Sequence, residues 1–244
     1  MRLIAIPYAF GNSNIFNEFF TALDPKLKPV SVEYPGHGRR IDEELISTMK
    51  GLTDDAFLQI KDYIVNGESY CLFGYSMGGL VAYELYYKII SEGLNPPSYI
   101  FILGTPEPSY QRERKPFETY TVEQIRKELK EYGGTPEILL EIDEFIELMA
   151  PIVKADNIIL RDYCDFVLTE EYKNRGGVDC GVTIVRGSKE ESLEHCKEEW
   201  EKDIGHEIVY MLVDGEHFFL FEEGGKNVSK VRNIVEQTIR AKMK

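Results

Sequence analysis

The sequence predicts an α/β fold: a mostly parallel central sheet flanked by helices, with a helical insertion between two late strands. Three observations predict it. Short apolar runs alternate with stretches of helical periodicity through residues 1–105. One of those runs, Tyr70-Cys71-Leu72-Phe73, leads straight into Gly74-Tyr75-Ser76-Met77-Gly78 and then into an apolar-periodic helix. The alternation stops near Pro106 and resumes near Gly181. At 244 residues and 43% hydrophobic, the chain suits one sizeable domain carrying an insertion or small subdomain.

Leu3 to Pro7 reads as the first strand, followed by the loop Tyr8-Ala9-Phe10-Gly11-Asn12-Ser13 and a helical stretch from Ile15 to Leu23. Leu27 to Glu33 is the second strand. It runs into Tyr34-Pro35-Gly36-His37-Gly38-Arg39-Arg40, where proline and glycines favour a structural turn, while His37, Arg39 and Arg40 offer contacts to an anionic ligand as the alternative. A helix around Thr53 to Asn66 precedes the strand at Tyr70, the helix Leu80 to Ser91 follows it, and Tyr99 to Leu103 is the next strand. Charged helical stretches then occupy Val122 to Tyr132 and Pro136 to Met149, broken at Gly133-Gly134. Strands resume at Gly181 to Arg186 and Glu207 to Val213. Residues 1–105 and 180–244 are thus expected to form the core. Residues 106–179 are expected to form a lid over the carboxyl edge of the sheet, in which Phe145, Ile146 and Met149 would set pocket depth; a helical layer with no gating role is the alternative.

Twenty-eight basic against 42 acidic residues give a formal charge of −14, which argues against sequence-independent binding to nucleic acid or to anionic membrane. The apolar N-terminus is shorter than a signal sequence and no run approaches a membrane span, so a cytoplasmic monomer is expected. Cys71, Cys164, Cys180 and Cys196 show neither a CxxC pair nor metal-ligand spacing. They are expected as reduced thiols, and neither a metal nor a cofactor is expected.

Gly74-Tyr75-Ser76-Met77-Gly78 has the strand-turn-helix setting of a nucleophile elbow, where a tight turn holds Ser76 at the top of the sheet as in the α/β-hydrolase fold. A glycine-rich turn with an ordinary exposed serine is the bland alternative. A serine hydroxyl needs an imidazole base oriented by a carboxylate, and in this fold the chain order is Ser, acid, His. Of His37, His195, His206 and His217, only His217 opens a loop after a late strand; His195 and His206 lie in or beside charged helical sequence. The acid should follow Gly181 to Arg186, which selects Glu190, with Glu191 as the alternative. An oxyanion hole would draw one backbone N–H from Met77 and a second from Ala9.

The segments Ile6 to Ser13, Glu33 to Arg40, Phe73 to Gly79 and Gly215 to Leu220, with Gly133 to Glu137 and Pro151 to Asp156 in the insertion, together resemble the type II thioesterases, stand-alone editing enzymes of nonribosomal peptide and polyketide synthases. The resemblance covers nearly the whole chain in order. It implies hydrolysis of acyl thioesters from the phosphopantetheine arm of a carrier protein. The chain departs from the family pattern at Phe10, where the family usually has glycine, and at Glu190, where it usually has aspartate. The basic residues Arg112, Arg114 and Lys115 are expected either to dock an acidic carrier protein or to form a solvated hinge. Other readings are a small-molecule carboxylesterase using the same triad and a non-catalytic binding protein on this fold.

Overall fold

In the computed structural model, which describes residues 1–110, 112, 114–191, 193–221 and 225–242, six strands form one sheet. They are β1 (Arg2–Ile6), β2 (Lys28–Ser31), β3 (Tyr70–Tyr75), β4 (Tyr99–Leu103), β5 (Gly181–Gly187) and β6 (Val209–Val213), in spatial order β2-β1-β3-β4-β5-β6. Every pairing is parallel. The chain order reverses between β1 and β3, so the loops leaving those strands diverge at the carboxyl edge and open a crevice there.

Helices α1 (Asn17–Ala22), α2 (Met49–Val65) and α3 (Met77–Ser91) connect the first four strands. Thr48 caps α2 by accepting the Gly51 N–H at 3.1 Å, so the helix begins at Met49, four residues before the expected start. Between β4 and β5 lie α4 (Val122–Tyr132), α5 (Glu137–Leu140), α6 (Asp143–Val167) and α7 (Glu170–Lys173); α8 (Cys196–Ile204) and α9 (Val228–Lys242) complete the chain. The two faces of the sheet carry separate apolar layers. Ile4, Leu72, Ile100 and Ile184 meet α2, α3 and α8 on one face, and Leu3, Phe73, Phe101 and Val185 meet α1 and α9 on the other.

The insertion departs from its expected outline. The stretch read as one helix from Pro136 to Met149 is the short α5 and the first part of α6, and α6 continues through Pro151. Proline removes one intrahelical hydrogen bond, but Val153 on one side and Ile159, Leu160, Tyr163 and Val167 on the other bury the helix well past it. Packing outweighs the local penalty. Only Ile125, Leu129, Leu140, Ile146 and Val153 form a small core of the insertion's own, with Phe145 and Met149 packed against it. The later part of α6 joins the main core. Helix α9, which the reading of the sequence does not include, buries Val228, Val231, Val235 and Ile239 at helical spacing.

Candidate active site

The turn after β3 is held by close backbone approach. A Cβ on Gly74 would lie 2.1 Å from the Gly78 carbonyl oxygen, and one on Gly78 would lie 2.1 Å from that of Ile6. With both absent, α3 packs directly on β1 and β3. Ser76 takes φ 53° and ψ −118°, a strained conformation for a residue with a side chain. Its backbone is fixed on both sides: the N–H donates to Leu103 O at 2.8 Å, and Thr105 Oγ1 lies 3.0 Å from Ser76 O.

His217 comes from the loop after β6. Its Nε2 is 3.1 Å from Ser76 Oγ, and its Nδ1 is 3.1 Å from Glu190 Oε2. Tyr75 Oη donates to His217 O at 2.6 Å, so the residue before the serine also fixes the histidine. The loops after β5 and β6 are tied by Ser188 N–H to Val213 O at 2.7 Å and Lys189 N–H to Gly215 O at 2.9 Å.

Glu190 is buried. Its Oε1 accepts the Gly187 N–H at 2.6 Å, and its Oε2 is 3.2 Å from Arg186 Nη2. Burial alone would raise this carboxyl. The His217 hydrogen bond, the Arg186 and His217 charges and the Gly187 N–H outweigh it and hold the group below the ordinary carboxylate value. Glu191 stays outside this arrangement: its side chain is exposed, and its carbonyl accepts from Arg186 Nη2 at 3.2 Å. Arg186 is absent from the site residues expected of the sequence, although a charge ending the apolar strand Val182-Thr183-Ile184-Val185 signals a buried ion in need of a partner.

Ala9 and Met77 are both fully buried beside the elbow. Met77 opens α3, where helical geometry leaves the first N–H groups without intrahelical acceptors. The α4 residue Tyr132 adds an unexpected contact, with its Oη 3.0 Å from Ser76 Oγ. Its ring packs on Phe10 at 4.7 Å between centroids. Phe10 itself holds φ 68°, a conformation that favours glycine.

The remaining basic residues separate. Arg114 pairs with Asp165 and Lys115 with Glu128, whereas Arg112 has a buried Nη1 without a hydrogen-bond partner among the described residues. Arg112 lines the cavity of about 570 Å³ that contains Ser76, Tyr132, Glu190 and His217. Phe145, Ile146 and Met149, expected to set the depth of the pocket, are not among its walls; Pro106, Tyr110, Tyr132 and Leu160 are the insertion's apolar contributions.

His37 lies in the turn after β2, buried rather than facing a ligand. Nδ1 is 2.9 Å from Pro35 O and Nε2 is 3.0 Å from Asp156 Oδ2. Burial lowers its pKa, but the Asp156 charge and hydrogen bond prevail and hold it above the ordinary histidine value. Arg40 is likewise committed within the protein, to Glu33 O, Glu43 and Asp55. His195 and His206 are exposed, as their charged surroundings suggested.

The model of the thioesterase domain family matches residues 1–238. The chain belongs to that family. This thioesterase is 28% identical over 233 residues to the medium-chain S-acyl fatty acid synthase thioesterase of Homo sapiens, covering 94% of this chain and 84% of the relative. It is 26% identical over 223 residues to the gramicidin S biosynthesis protein GrsT of Aneurinibacillus migulanus, covering 91% and 84%. Among solved structures, ClbQ from the colibactin NRPS/PKS pathway superposes with a TM-score of 0.85 at 24% identity, over 99% of this chain and 98% of that one. That likeness shows the fold, and the resemblance to type II thioesterases read from the motifs stands with these relatives. Among the described residues of the thioesterase, no helix is long and apolar enough to cross a membrane.

The Tyr132 contact has a measurable consequence. Were Ser76 Oγ to act as a nucleophile with its proton directed at His217 Nε2, Tyr132 would donate to the serine oxygen and make it less electron-rich. A hydrogen bond of this kind contributes about 1 kcal/mol. Tyr132→Phe is therefore expected to raise the acylation rate roughly two- to fivefold. The pre-steady-state burst with p-nitrophenyl acetate reads it, and a slower burst would show that the phenol assists attack.

Proposed function

We propose that this thioesterase hydrolyses acyl thioesters carried on the phosphopantetheine arm of a carrier protein, through a covalent intermediate on Ser76. The observation that carries the reading is the hydrogen-bonded series Ser76 Oγ, His217 Nε2, His217 Nδ1 and Glu190 within a thioesterase-family chain. Ser76 Oγ attacks the thioester carbonyl as His217 Nε2 takes its proton. The carbonyl oxygen becomes an oxyanion facing the N–H groups of Met77 and Ala9. The C–S bond then breaks, and the departing thiol takes the proton from His217. Water attacks the acyl-serine with His217 again as base, releasing a carboxylic acid. Glu190 keeps the proton on Nδ1 and stabilises the imidazolium formed in each half-reaction.

The names of the relatives support the carrier-bound substrate. GrsT is named for gramicidin S biosynthesis, and AngT of Vibrio anguillarum, 24% identical over 96% of this chain and 92% of its own, is named a probable anguibactin biosynthesis thioesterase. Under this reading residues 106–179 serve as a lid that encloses the arm.

Arg112 is the cation assigned to the incoming arm, taking its phosphate with the buried guanidinium nitrogen that has no hydrogen-bond partner among the described residues. The test is single-turnover acyl release from a phosphopantetheinylated carrier against a p-nitrophenyl ester of the same acyl group. Faster release from the carrier is expected, and an inert carrier beside a rapidly cleaved ester would favour the carboxylesterase reading. Arg112→Gln is expected to raise KM for the carrier substrate about tenfold, the scale of one charge-assisted hydrogen bond, and to leave the ester unchanged. Equal effects on both substrates would remove Arg112 from recognition of the arm.

A further inference from the structure

The loop after β1 is held at two points on either side of Ala9. On one side Tyr34 Oη donates to Pro7 O at 3.0 Å. On the other the Phe10 N–H donates to Asp156 Oδ2 at 2.7 Å. Asp156 belongs to α6 of the insertion, 146 residues further along the chain. The same carboxylate oxygen meets His37 Nε2 at 3.0 Å, and His37 Nδ1 is anchored on Pro35 O at 2.9 Å. Pro35 O can only accept, so Nδ1 carries a proton, which leaves Nε2 to face Asp156 Oδ2. His37 and Asp156 are 2% and 1% exposed, so water does not compete for these bonds.

Burying an aspartate of the insertion against a loop of the core is costly unless it is paired, and one oxygen, Oδ1, is buried with no hydrogen-bond partner among the described residues. What the arrangement secures is the orientation of one peptide plane. The Ala9–Phe10 peptide adjoins the Tyr8–Ala9 peptide, whose N–H is the proposed second oxyanion donor. Phe10 sits at φ 68°, a conformation that an unrestrained loop would leave.

We propose that Asp156 and His37 are positioning residues for the oxyanion hole: Asp156, carried by the insertion and locked by His37, holds the Phe10 N–H and thereby aims the Ala9 N–H at the reacting carbonyl. Correct placement of the insertion and completion of the oxyanion hole are then a single event. A displacement of α6 would release the loop and with it one of the two donors.

The inference rests on the acyl-enzyme reading above. Asp156→Ala is expected to lower kcat roughly 10- to 100-fold on carrier thioester and p-nitrophenyl ester alike, since both pass through the same oxyanion, with KM changed less than about twofold. Asp156→Asn, whose amide oxygen can still accept from Phe10, is expected to recover most of that loss. A trifluoromethyl ketone inhibitor, which presents its alkoxide to the same donors, should bind Asp156→Ala more weakly by a similar factor. A kcat within twofold of wild type, a loss confined to KM, or unchanged inhibitor affinity would overturn the proposal. If Asp156→Ala does not fold, His37→Gln decides: parallel losses of kcat and inhibitor affinity support positioning, and unimpaired kcat overturns it. Fluorophosphonate labelling separates the two levels. Wild-type protein that is not labelled at Ser76 defeats the acyl-enzyme reading itself, whereas labelled wild type beside a fully active Asp156→Ala defeats only the positioning role.

Discussion

Ser76→Ala is expected to lower kcat for thioester hydrolysis by about 10⁵-fold, leaving only what binding and the oxyanion donors provide. The size of the effect follows from the geometry. Ser76 Oγ lies 3.1 Å from His217 Nε2, and Ser76 lines the cavity that a substrate would enter. An alanine also relieves nothing structural, because φ 53° and ψ −118° are strained for any residue with a Cβ. The fold is therefore expected to survive, with an unfolding midpoint close to wild type and no burst of acyl transfer in single-turnover assays. Substantial residual turnover would mean that water attacks the thioester directly, with His217 as its base, and that no acyl-serine forms.

The second large effect is expected at Glu190, where activity and stability fall together. Glu190→Gln removes the charge that fixes His217 Nδ1–H and stabilises the imidazolium, and kcat is expected to drop by about 10³- to 10⁴-fold. It also strands Arg186. That guanidinium is 3% exposed beside a carboxylate 4% exposed, and breaking a buried pair by removing one partner costs about 3–5 kcal/mol. Urea unfolding of wild type and variant at neutral pH measures this difference. The pH dependence has a definite sign. The folded-state pKa of Glu190 lies below the ordinary carboxylate value, so its contribution is fully present above about 4.3 and is lost as pH falls through the folded value. The stability gap between wild type and Glu190→Gln should therefore narrow on acidification below that range. A gap that stayed constant to the lowest pH would mean that the loss comes from packing and not from charge.

Much of this protein is legible without coordinates because the forces concerned act over a few residues. Short apolar runs and period-3.6 stretches give all six strands and the helices between the first four, with ends displaced by a few residues where caps such as Thr48 act. The insertion is less legible. Pro151 and Gly133-Gly134 are strong local punctuation, but Pro151 lies inside a 25-residue helix because burial beyond it outweighs its cost.

By itself, the sequence indicated the tight turn at Ser76 and the chain order Ser76, Glu190, His217 of the side chains that lie in one hydrogen-bonded series. Gly74, Ser76 and Gly78 satisfy a steric requirement internal to one turn, and His217 follows the last strand, so its arrival at the carboxyl edge is a consequence of parallel topology. Tertiary structure decided the rest. Glu190 and Glu191 are neighbours of the same chemistry, and only the placement of Arg186 and the Gly187 N–H buries one of them beside His217 while leaving the other in water. Tyr132 reaches Ser76 across 56 residues and Asp156 reaches Phe10 across 146. Contacts that distant depend on the path of the insertion and its packing on the core, neither of which is encoded in any local pattern.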